Sequence, residues 1–100
     1  AELFQKAKNA GIVLVLVGLK APWRPEGVLS EEMVRVQRKA IAAAQNYLLV
    51  ELGTTRHRVT RLYKRIPGIA LEVGPDALNV LAKSVAVTNV LPDRPPRATR

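Results

Sequence analysis

The chain has 100 residues, 48% of them hydrophobic, no cysteine and a formal net charge of +8. That length makes one domain with enough apolar material for a core and too much for a disordered segment; the missing cysteine excludes disulfides and thiol chemistry. The longest apolar run falls far short of the roughly 20 residues that span a bilayer, and sixteen Lys and Arg against eight acids make nucleic acid or an acidic protein the partners to weigh.

Residues 1–10 read as an N-terminal extension with a frayed helical turn around Leu3, Phe4 and Ala7. Ile12–Leu19 follows, with seven apolar residues of eight, many of them β-branched. Such a run fits a buried strand. Ile12, Leu14 and Leu16 point one way and Val13, Val15 and Val17 the other. Neither face is polar, so both sides of the sheet need a cover, and the sequence leaves open which parity meets the helices. Gly18 marks a bulge or a close backbone approach.

Residues 20–29 hold two prolines and a glycine and form a loop. Trp23, the sole tryptophan, is expected to close over the core edge. Ser30 is an N-cap, with Glu31 and Glu32 in the first turn of a helix that runs to about Leu52. Its buried stripe is read as Val34, Ile41, Leu48 and Leu52, flanked by Met33, Ala40, Ala44 and Tyr47. Gly53 ends it.

Arg56–Ile66 interleaves Val59, Leu62, Tyr63 and Ile66 with Arg58, Arg61, Lys64 and Arg65. The imperfect alternation predicts an edge strand with a bulge, its charges discouraging stray pairing. Pro67-Gly68 is a turn, and Ile69–Val73 is a third strand. Gly74-Pro75-Asp76 opens a second helix with a stripe of Ala77, Leu78, Leu81 and Ala82. Val85–Leu91 is the fourth strand, stopped by Pro92, and the rest is an extended tail.

The order β-α-β-β-α-β predicts an α+β, ferredoxin-like open-faced sandwich: a four-stranded antiparallel sheet with two helices on one face and the first and third strands central. The open face is assigned Ile12, Val13, Val15, Val17, Ala70, Glu72 and Val90. Nothing in the chain is left over to cover it.

Three stretches together resemble the propeptide of subtilisin-like serine proteases, the inhibitor I9 family: Tyr63-Lys-Arg-Ile-Pro-Gly-Ile-Ala-Leu-Glu-Val73, the Leu-containing helix after it, and Val87-Thr-Asn-Val90-Leu-Pro-Asp93. The apolar first strand, Pro-rich loop and Ala-rich helix agree with the pattern. The match spans about residues 11–94, leaving 95–100 as an extended tail. The resemblance implies an intramolecular chaperone and product-like inhibitor of a secreted protease. In that family the open sheet face packs on two protease surface helices, and the tail lies in the active-site cleft. It implies that Asp93 caps a protease helix, although Leu91 and Pro92 stand where the family often has further acids. With the last residue taken as the product end, it places Arg100, Thr99, Ala98 and Arg97 in S1 to S4, with Pro95 and Pro96 stiffening the approach.

No catalytic set, metal-ligand spacing, phosphate-binding glycine motif or cofactor site is read in the chain. His57, the sole histidine, has no acid near it in sequence, and Ser30 is explained as a cap. A nucleic-acid-binding domain of the same element order is the competing reading. It is disfavoured because the central strands hold no aromatic on which a base could stack, although Arg56, Arg58, Arg61 and Lys64 would meet phosphates. A homodimer burying the open face against its own copy is the third.

Overall fold

The computed structural model describes residues 11–92. The expectations for residues 1–10, for Asp93 and for the tail through Arg97, Ala98, Thr99 and Arg100 lie outside the described residues. The apolar run folds as β1, Val13–Leu19, and Ser30 starts α1, Glu31–Leu52. The Ser30 hydroxyl accepts a hydrogen bond from Met33 N at 3.2 Å, satisfying one of the donors a helix start leaves free. β2 spans His57–Leu62, β3 Gly68–Val73, α2 Pro75–Lys83 and β4 Val87–Pro92. The strand order is β2-β3-β1-β4, with every neighbouring pair antiparallel. The fold is therefore the α+β open-faced sandwich of ferredoxin-like order, with β1 and β3 central.

The core lies between the sheet and the two helices. Val15, Val17, Ile69, Leu71 and Val73 face Leu48 and Leu52 of α1 and Ala77, Leu78 and Leu81 of α2. Ala82, expected in the buried stripe of α2, is exposed. On α1, Met33 and Tyr47 are exposed as well, and two glutamines take buried places that hydrophobicity alone assigns to apolar residues. Both are held by backbone groups. Gln37 accepts from Arg24 N at 2.8 Å and donates to Arg24 O at 2.9 Å, so it holds the 20–29 loop from both sides. Gln45 donates to Tyr63 O and to Gly68 O, each at 2.8 Å, and fixes the β2–β3 turn to the helix. A buried amide costs little once its partners are met.

Trp23 does not close over the core. It is 43% exposed, and its indole N–H donates to Arg65 O at 2.6 Å, joining the loop to the β2–β3 turn. The single 3-10 turn Glu26–Val28 in that loop is tied to α1 through Arg38, whose guanidinium meets both Glu26 oxygens at 2.7 and 2.8 Å. Val85 stays outside the fourth strand, because the Ser84 hydroxyl accepts from Ala86 N and turns the chain there. Pro92 lies within β4, opposite Val15, rather than beyond its end.

The end of α1 depends on one glycine. Gly53 has φ 51° and ψ −120°, and Thr55 N and its hydroxyl both return to Leu52 O at 2.9 and 2.7 Å. That conformation is the first central position of a type II′ turn, which suits glycine. Gly53→Ala is expected to lower stability by about 1–3 kcal/mol, read from the urea midpoint. Gly53→Asn is expected to give no relief, since asparagine tolerates left-handed helical backbone and this ψ lies far from it.

Candidate protein-docking face

Register decides which residues reach the open face. Partners across an antiparallel ladder share a face. Val13, Val15 and Val17 pair with Val73, Leu71 and Ile69, the side of β3 that lies under the helices. The assignment of Val13, Val15 and Val17 to the open face is therefore corrected. Val15 and Val17 are fully buried on the helix side, and Val13 and Val90 pack against the same core. Once Ile69, Leu71 and Val73 are roofed, their partners on β1 have to follow, and Val90 follows Val17.

Ile12, Ala70 and Glu72 lie on the open face as assigned. They are joined by residues the sequence reading did not select: Leu14 opposite Glu72, Leu16 between Ala70 and Leu91, and Arg58 and Arg61 on β2. Leu91 is 50% exposed, whereas Ala70, enclosed by its larger neighbours, is only 3% exposed. Both helices lie on the opposite side. Gly18 sits where β1 shifts register against β4, and a Cβ built there would stand 2.1 Å from the Asn89 amide oxygen and 2.7 Å from the Thr88 hydroxyl. The bare backbone at Gly18 thus makes room for those two side chains.

A second irregularity shapes the basic margin. The register of β2 against β3 slips between Val59 and Arg61, so Thr60 is the extra residue of a bulge. In a regular strand Arg58 and Arg61, three apart, would point to opposite faces. The bulge puts both on the open face, opposite Glu72 and Ala70. Tyr63 continues the row: its ring lies 3.6 Å from where a Cβ on Gly68 would stand, and the Arg61 guanidinium is 5.9 Å from the ring centroid. Arg56 begins the row, with its carbonyl accepting from Gly74 N and its N–H donating to Asp76. The charges, visible in the sequence, do not by themselves reveal a shared face, because the bulge position is not written in the composition.

Arg58 Nε meets Glu72 Oε1 at 2.8 Å. That hydrogen bond holds the Glu72 carboxyl below its ordinary value near 4.5 and pushes the Arg58 guanidinium up. Glu26 is lowered in the same way, by its hydrogen bond with Arg38 and then by the charges of Arg38 and Arg65. A carboxylate depressed in the folded state stabilises the fold fully above its unfolded pKa, and that stabilisation is lost as pH falls through the folded value. The urea midpoint is therefore expected to be level above about pH 5 and to fall below about pH 4.5. Glu26→Gln with Glu72→Gln is expected to remove part of that fall.

The face carries apolar side chains at its centre and ions along one margin. His57 is committed locally, its Nδ1 lying 2.8 Å from Thr55 O. Among the described residues no three of His, Cys, Asp and Glu come together as a metal set, and no helix is long and apolar enough to cross a membrane. Compared with family models, curated proteins and solved structures, the chain matches none.

Proposed function

We propose that this chain is the propeptide or inhibitor domain of a subtilisin-like serine protease, with its open sheet face on the protease surface and its C-terminal tail in the active-site cleft. The observation that carries the reading is the apolar centre of the sheet, Leu14, Leu16 and Leu91, on the side away from both helices. An apolar sheet face of this kind invites a partner. The resemblance of residues 11–94 supplies the class of partner, and a proline-stiffened tail suits addition to a cleft edge as an extended strand. In this reading Asp93 offers a carboxylate to a protease helix N-terminus, and the domain acts as a folding template for the protease before it inhibits it.

The test is inhibition of subtilisin-type proteases by the full chain and by a form lacking residues 95–100. The full chain is expected to inhibit at sub-micromolar concentration, and the shortened form to lose most of that inhibition while still binding weakly. Equal inhibition by both forms would remove the tail from the cleft.

A further inference from the structure

We infer that the protease surface received by the open face is acidic, its carboxylates meeting the row formed by Arg56, Arg58 and Arg61. This inference rests on the proposed docking of the face and adds the chemistry of the partner. The bulge at Thr60 brings Arg58 and Arg61 onto one face, and Tyr63 continues the line. Arg56 and Arg61 make no ion pair among the described residues, whereas Arg58 is held by Glu72 and the Arg65 guanidinium stands 3.8 Å from Glu26. Opposite-charge patches steer encounter and suppress wrong partners.

The same row argues against a second copy as the occupant. A two-fold contact brings one patch against itself, so the cations of two chains would share one interface.

The closing experiment measures association rates with two subtilisin-type proteases, one of acidic and one of basic surface, at low and high salt. The wild-type chain is expected to associate with the acidic enzyme at least tenfold faster at low salt, with the advantage lost near 1 M salt, where the Debye length is about 3 Å. Arg56→Glu with Arg61→Glu is expected to slow that association about tenfold. Arg35→Glu with Lys39→Glu makes the same change in net charge on the exposed side of α1 and is expected to slow it by less than about threefold. Arg56→Gln with Arg61→Gln, checked by circular dichroism, serves if charge reversal disturbs the strand. Inhibition of both enzymes at equal rates, insensitive to salt and to the row, would overturn the acidic partner and leave the docking intact. Inhibition of neither enzyme overturns the docking itself, and the acidic partner with it.

Discussion

Under the proposed docking, Leu16→Asp is expected to abolish protease inhibition while leaving the domain folded, and Val15→Asp, one residue away, is expected to unfold it. The contrast follows from strand parity. Leu16 stands on the open face between Ala70 and Leu91, so an aspartate there keeps its water in the free domain. Docking would strip that water from an unpaired carboxylate, a cost of several kcal/mol and hence a loss of more than about 100-fold in the inhibition constant. Val15 is fully buried among Leu71, Leu48 and their neighbours. A carboxylate there has neither solvent nor partner, and the penalty consumes much of the roughly 5–15 kcal/mol that holds such a domain together. Circular dichroism at 25 °C with an inhibition assay separates the two outcomes. A folded Val15→Asp variant would show that the faces are assigned the wrong way round.

Leu48→Ala is expected to cost about 2–5 kcal/mol, the range for removing a large aliphatic side chain from a packed core. Leu48 lies on the buried stripe of α1, fully enclosed, and belongs to the same cluster as Val15, Val17 and Leu71. The loss combines the transfer of the missing carbons with a cavity that the stiff sheet beneath cannot close. Val50→Ala, two residues on, removes a side chain that is 80% exposed and is expected to change stability by less than about 0.5 kcal/mol. Urea unfolding of the two variants tests whether the helix–sheet contact, rather than helix propensity, supports α1.

The architecture was legible because local signals agreed. Ser30, Gly53 and Pro75 mark helix ends through capping and backbone geometry, and the apolar run of β1 has no competing period. Strand parity on β1 was not legible, because valines on one side and isoleucine and leucines on the other are equally apolar. The ladder to β3 decides it, and that ladder joins residues fifty or more apart in the chain. Gln37 and Gln45 were missed since polarity argues for solvent, whereas the structure fills both amides with carbonyls and an N–H from distant loops. The basic margin of the open face was visible as charge and invisible as a row. A bulge adds a residue to one strand with no change in composition, and only pairing reveals its position. Leu14, Leu16 and Leu91 became candidates for the site by the same route.

The strand order also sets a timetable for folding. β1 is made first, yet both of its neighbours, β3 and β4, begin only at Gly68 and Val87. During synthesis the uncharged run Ile12–Val17 therefore waits without a mate while most of the chain is added, and pairing across such separations is slow. Uncharged β-formers left unpaired are prone to zipper with other nascent chains. Lys20, just past the run, is the nearest charge on its C-terminal side to interrupt that stacking.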